Sequence, residues 1–137
     1  MATYLAVGPP DNLEIGINQN VWGLPSTAET WWRRLVAGDR VVLYATAPIK
    51  GIVGYAEVES TMRDASLLWP QEKQRGRCQW PLRISLRNIR VVPAAQWASR
   101  CYGIKRNGLF LRRSFQLLNW DRAAEFVKGI NAVLNES

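Results

Sequence analysis

The spacing of apolar residues changes several times along the chain and divides it into elements. Residues 3–8, Thr-Tyr-Leu-Ala-Val-Gly, form a short apolar run that predicts a first strand. Gly8-Pro9-Pro10 ends it, since proline fixes its own φ and lacks the N–H a strand needs. Residues 11–25 hold Asp11, Asn12, Asn18, Asn20 and Pro25 and predict a turn-rich segment around Val21-Trp22-Gly23-Leu24. Ser26 with Glu29 three residues on is a capping-box pattern that predicts a helix over 27–36, ended by Gly38. On it, Trp31 and Leu35 face the core, Trp32 and Val36 make the adjacent stripe, and Arg33 and Arg34 point outward.

Two β-rich runs follow, Val41–Thr46 and Gly51–Ser60, joined by the turn Ala47-Pro48-Ile49-Lys50. Residues 61–79 read as a long connection whose apolar centre, Leu67-Leu68-Trp69-Pro70, must pack on the domain. From Trp80 to Arg87 the period is two, with Leu82, Ile84 and Leu86 on one face and Arg83, Ser85 and Arg87 on a basic outer face. The strand continues to Pro93, residues 94–100 fit a single helical turn, and 101–108 a basic loop with Lys105, Arg106, Asn107 and Gly108. Leu109–Arg113 fits a short extended segment, with Arg112 and Arg113 as surface charge. A closing helix, capped by Asn119, turns Ala123, Phe126, Val127, Ile130 and Val133 or Leu134 inward. The order β-α-β-β-loop-β-β-α predicts an α+β domain, a curled mixed sheet with helices outside it.

Composition refines this picture. A chain of 137 residues, 47% hydrophobic and 21% charged, fits one folded domain over residues 1–137 with a proper core. No apolar run is long enough to span a bilayer, and Met1-Ala2-Thr3-Tyr4-Leu5 has no secretory pattern, so a cytoplasmic protein without membrane association is expected. Cys78 and Cys101 read as reduced thiols, with a single bridge as the alternative. The net charge is +7, and apart from Lys50, Lys73, Lys105 and Lys128 every side-chain cation is arginine. A planar guanidinium suits phosphate and stacks on bases, which points to nucleic acid, against the plainer reading of a solubility charge.

Seven tryptophans exceed what one core of this size needs and leave room for one or two at a ligand. There is no histidine, so Ser-His and Cys-His catalytic pairs and histidine metal ligands are excluded. Nor is there a glycine-rich phosphate loop. Glu57 and Glu59 share one strand face, which an exposed face explains better than a carboxylate pair. No catalytic residue, metal site or cofactor is assigned.

The motifs resemble a known family. "TYLAVG", "NVWGLP", a helix, "AGDRVVLYAT" with "GIVGYAEVES", "LLWP", "WPLRISL" and a final helix occur in the order found in the EVE domain family. That family is a branch of the PUA-like superfamily, which also contains the YTH readers of methylated RNA. The pair "GDRVVLY" and "GIVGYAEV" is the most specific piece, and the likeness does not extend over 94–108. The resemblance implies a six-stranded, partly open β-barrel flanked by helices, holding a modified base in an aromatic cage. Trp22, just before the first helix, matches one cage tryptophan, and Trp69 matches a second, with Trp80 in reserve. Trp31, Trp32, Trp97 and Trp120 are read as structural, and Tyr44 and Tyr55 as filling the barrel.

Indole faces stack on any base, at about 1–3 kcal/mol per base, and a buried methyl adds about 0.8 kcal/mol. Asn18, Asn20, Ser26 and Thr46, with the backbone at Gly23 and Ala45, are candidates for satisfying a base edge. Arg33, Arg34, Lys73, Arg75 and Arg77 are candidates for flanking phosphates, although the last three equally fit a solvated loop. The leading expectation is therefore a non-enzymatic module for nucleic acid, DNA or RNA, carrying a modified base, with any effector protein acting in trans. A binder of free nucleosides is the main alternative. An enzyme using Asp39, Asp64 or Glu57 as acid or base is the third.

Overall fold

The computed structural model describes residues 1–104, 111 and 113–135. Six strands form one curled sheet: β1 (Thr3–Gly8), β2 (Val21–Leu24), β3 (Arg40–Ala45), β4 (Gly51–Arg63), β5 (Leu82–Val91) and β6 (Phe115–Leu117). Their order is β2-β5-β4-β3-β1-β6, with β1 and β3 parallel and the other neighbours antiparallel. Four helices accompany it: α1 (Pro10–Gln19), α2 (Glu29–Trp32), α3 (Pro70–Arg75) and α4 (Trp120–Leu134). This is the α+β, half-barrel architecture expected. Among the described residues no helix is long and apolar enough to cross a membrane.

The core lies inside the curl. Leu5, Val41, Val42, Ile52, Val53, Ala56 and Val58 are fully buried from the central strands, and Leu82 and Ile84 join them from β5. Phe126 and Ile130 of α4 close one side, with Ala123, Val127, Val133 and Leu134 half-buried beside them. Asn119 caps this helix as expected, its side-chain oxygen accepting the Arg122 N–H at 2.8 Å. Tyr44 is buried in the barrel. Tyr55 instead lies half-buried beneath α4, donating its hydroxyl to Asn131 at 2.8 Å. Trp97 is packed, its indole N–H bonded to the Val92 carbonyl at 2.6 Å.

Several local expectations are corrected. The segment after Pro9-Pro10 is not a run of turns but α1, with Pro10 in the first helical turn, where the missing N–H costs nothing. Its asparagines suit the ends: Asn20 terminates the helix in the left-handed conformation at φ 56°. Leu13 and Gly16 face inward at helical spacing, and Val21–Leu24 pairs with β5 as a strand. The Ser26 capping box does not form. Pro25 precedes a short 3₁₀ turn over Ser26–Ala28, Ser26 makes no cap, and the Glu29 carboxylate bonds Arg33 (3.1 Å) and Arg63 (2.5 Å). The helix accordingly ends at Trp32 and leaves Val36 exposed.

Within 61–79, β4 runs on to Arg63 and α3 forms over 70–75. Arg83, read as part of an outer face, is buried. Trp120 is 84% exposed and supports no packing. Cys78 and Cys101 are unbridged. The expected loop residues Lys105, Arg106, Asn107 and Gly108, most of the segment 109–113 and Arg112 lie outside the described residues.

Candidate functional site

Three tryptophans meet at one end of the sheet. Trp22 comes from β2, Trp69 from the start of α3 and Trp80 from the residue pair leading into β5. The ring centroids of Trp22 and Trp69 are 5.7 Å apart at 77°, and those of Trp69 and Trp80 are 5.5 Å apart at 83°. Both are edge-to-face contacts, the arrangement the aromatic quadrupole favours over a parallel sandwich. Around them is a largely apolar cavity of about 170 Å³. Gly8 and Pro9 at the end of β1 complete one wall, Asn12 of α1 another, and Ser114 contributes from the approach to β6.

Two glycines let the indoles come this close. A Cβ on Gly8 would lie 2.5 Å from Cη2 of Trp22, and one on Gly23 would lie 2.8 Å from the Trp69 ring and from Cβ of Trp80. Neither position has room for a methyl group, so the backbone itself forms the floor under the rings.

The polar atoms at the cavity are few. Trp69 donates its indole N–H to the Asn12 carbonyl at 3.0 Å, and the Asn12 side-chain amide donates to Gln71 at 3.2 Å. Trp22 Nε1 and Asn12 Oδ1 are buried and have no hydrogen-bond partner among the described residues. A buried donor or acceptor left unpaired carries a cost of about 1–3 kcal/mol.

The loop that carries Trp69 and Trp80 is tied down from beneath by Glu72, which is fully buried, and Arg83. Their closest oxygen–nitrogen distance is 3.5 Å. Burial pushes the Glu72 carboxyl upward, but the N–H groups of Leu68, Gln79 and Trp69, with the Cys78 thiol, outweigh it and hold its pKa below the ordinary value. Burial, then the bond to Glu72, pushes the Cys78 thiol up, and burial alone does so for Cys101, which disfavours the thiolate at both.

Of the residues singled out in the sequence, Trp22, Gly23, Trp69 and Trp80 are brought together at the cavity. Asn20, Ser26 and Thr46 do not line it. Asn20 is exposed at the end of α1 and Ser26 is exposed in the 3₁₀ turn, while Thr46 reaches the site only through its backbone N–H to the Gly8 carbonyl at 3.0 Å. Asn18 is exposed on α1 beside the segment after β5. Arg33 is paired with Glu29, and the Arg34 guanidinium sits 5.1 Å over the Trp31 ring. Lys73 and Arg75 lie exposed on α3, with Arg77 just beyond it. Among the described residues no lysine or arginine lines the cavity.

The three carboxylates considered as acids or bases each have a structural occupation. Asp39 accepts the N–H groups of Ala2 and Val36 at 3.0 Å, Glu57 accepts from Asn88 at 2.6 Å, and Asp64 accepts the Ser66 N–H at 2.8 Å. Asn12, Glu72 and Arg83 carried no motif and were not anticipated. The signal available was the spacing of Asn12 and Gly16, which places both on the inner side of a helix once α1 is recognised.

Similar architectures occur among solved structures. The ASCH protein from Zymomonas mobilis aligns over 93% of this chain and 94% of its own, with a TM-score of 0.64 and 16% identity. The fold is PUA-like. The YTH domain of Mmi1 aligns over 98% of the chain and 91% of its own length, with a TM-score of 0.61 at 11% identity. A protein from Pseudomonas syringae covers 93% of the chain and 98% of its own, at 0.56 and 17%. No protein-family model matches the sequence, and no curated protein matches it.

Proposed function

We propose that this PUA-like chain is a nucleic-acid-binding module of the EVE type, which takes a modified base, unpaired from its strand, into the Trp22–Trp69–Trp80 cavity without acting on it chemically. The observation that carries this reading is the aromatic cavity itself, lined by three indoles drawn from separate parts of the chain. Indole surfaces stack on a base plane, and Asn12 is a polar side chain beside them that can meet a base edge. A cavity of about 150 Å³ accepts a benzene ring, so about 170 Å³ suits a flat heterocycle with a small substituent. The resemblance of the "NVWGLP" and "GDRVVLY" motifs to EVE domains and the likeness of the fold to YTH and ASCH domains support it. The net charge of +7, with Lys73, Arg75 and Arg77 exposed beside the Trp69 helix, suits the flanking phosphates. A partner protein would supply any subsequent chemistry, and a cytoplasmic setting is part of the proposal.

The test is quenching of tryptophan fluorescence by short DNA and RNA oligonucleotides, with and without methylated adenine or cytosine, across a salt series. Binding that weakens steeply with salt and prefers one modified base is expected. Trp22→Ala, folded by circular dichroism, should lose that preference while keeping weak, salt-dependent binding. Unchanged preference in Trp22→Ala would refute the assignment of the cavity. A second reading, a receptor for a free nucleoside, is favoured by the absence of cations from the cavity lining among the described residues. It predicts equal affinity for nucleoside and oligonucleotide at every salt concentration.

A further inference from the structure

Residues 64–80 carry two of the three indoles, yet only the six residues of α3 give that loop regular structure. One carboxylate organises the rest. Oε1 of Glu72 accepts the N–H groups of Leu68 (2.9 Å) and Trp69 (3.2 Å), and Oε2 accepts those of Gln79 (2.9 Å) and Trp80 (3.2 Å). The entry and exit of the loop are thus gathered onto a single side chain that is 0% exposed. Arg83, 2% exposed on β5, completes the arrangement. Its Nε donates to the Trp80 carbonyl at 2.6 Å and its Nη2 to the Ser66 carbonyl at 2.7 Å. Its guanidinium also lies 5.0 Å from the centre of the Trp69 ring.

A buried ion pair of this kind contributes little net stability, because desolvation consumes most of the attraction. Apolar residues of similar size would anchor the loop as firmly. They would not direct two indoles, because only bonds to the backbone at 69 and 80 fix where those side chains begin.

We propose that Glu72 and Arg83 are a positioning pair that sets the orientation of Trp69 and Trp80, so that affinity at the cavity depends on two residues that do not line it. Five of the six bonds run through a residue bearing an indole or its neighbour, the sixth holds Ser66 at the entry of the loop, and the cation over Trp69 fixes that ring from the side of β5. The charged and titratable groups around the pair are few: the Cys78 thiol is 3.5 Å from Arg83 Nη2, and Asp64 acts on Arg83 from the end of β4. The identity of the occupant rests on the base-binding reading above, whereas the orientation of the rings does not.

The experiment compares the full chain with Glu72→Gln, Arg83→Met and Arg83→Lys. Indole Nε1–H resonances are assigned by single tryptophan substitutions, and affinity is measured for the best modified oligonucleotide. Glu72→Gln places an amide donor against backbone donors, and Arg83→Met removes every bond of the fork. Both should shift or broaden the Trp69 and Trp80 signals while leaving that of Trp97 unmoved, and weaken binding at least tenfold. Arg83→Lys, which keeps the charge, should recover part of both effects. Should Glu72→Gln fail to fold, the Arg83 variants decide on the same signals. Wild-type indole positions in Arg83→Met, or wild-type affinity beside a lowered melting temperature, would overturn the proposal. If the unaltered protein binds no base, the functional reading falls and the indole signals still decide the positioning role.

Discussion

Replacing Gly23 with alanine tests the site through one methyl group. Gly23 sits within β2, opposite Arg83 of β5, and its φ is not in the left-handed range. In an open strand the change would stabilise the chain by about 0.5–1 kcal/mol, because glycine loses more backbone freedom on folding. Here the new Cβ would lie 2.8 Å from two atoms of the Trp69 ring and from Cβ of Trp80. Those neighbours cannot yield cheaply, since Trp69 is 1% exposed and bonded through its indole to Asn12. Overpacking of this kind costs about 1–3 kcal/mol, so mid-range values leave a net loss of about 1 kcal/mol after the entropic gain. For a chain of this size that lowers the melting temperature by roughly 3–4 °C. Gly103, whose added Cβ would meet nothing within 4 Å among the described residues, serves as the control, and alanine there should leave the melting temperature within about 2 °C. Thermal melts followed at 222 nm by circular dichroism read the stability, and fluorescence titration with the modified oligonucleotide reads the cavity. Melting at or above the wild-type temperature with unchanged affinity would refute both the close packing and its bearing on binding.

Asn119→Ala removes the side-chain acceptor that caps α4 and should cost about 1 kcal/mol, measured by urea denaturation, with binding unchanged because the helix begins away from the cavity. The stability should also depend on pH through Glu72. Its folded pKa lies below the ordinary 4.5, so its contribution is present above about that value and is lost as pH falls through the depressed folded value. Melting temperatures taken from pH 7 downward should fall below pH 4.5 more steeply for the unaltered chain than for Glu72→Gln, and parallel curves would contradict the assignment. Glu29 and Asp64 are depressed as well, by bonds from Arg63 and Arg33 and from Ser66, and remain as a common background in that comparison.

The central part of the fold was legible because its signals were local. Val41–Thr46 and Gly51–Ser60 are β-branched runs joined by a turn, and they appear as β3 and β4 with two-residue precision at most ends. The inward stripe of α4 and its asparagine cap were equally readable. The segment after Pro9-Pro10 was not. Proline and asparagine both mark turns and both mark helix ends, and only the packing of Leu13 and Gly16 against β2 selects the helix. Ser26 and Glu29 illustrate the converse: a capping-box pattern was overridden when Arg63, 34 residues away, claimed the carboxylate.

The cavity divides along the same line. Trp22 and Trp69 could be singled out, and Gly23 with them, because their motifs match those of the family the sequence resembles. The residues that hold them had no such signal. Leu82, Ile84 and Leu86 face the interior as the alternation requires, so Arg83 must face the other way, and alternation alone reads that direction as solvent. What converts it into a second interior is the apolar Leu68-Trp69-Pro70 stretch folding back over β5, with Glu72 delivered from the same turn to meet the arginine. A charged residue on the outer face of a strand is thus a surface group only while nothing covers that face. The excess of apolar residues in the long connection was the clue that something does. An aromatic-rich loop needs a counterface, and a buried arginine on that face needs an acid. The loop holds two, and Glu72 is the buried one, 3.5 Å from Arg83, while the Asp64 carboxylate is occupied by the Ser66 N–H.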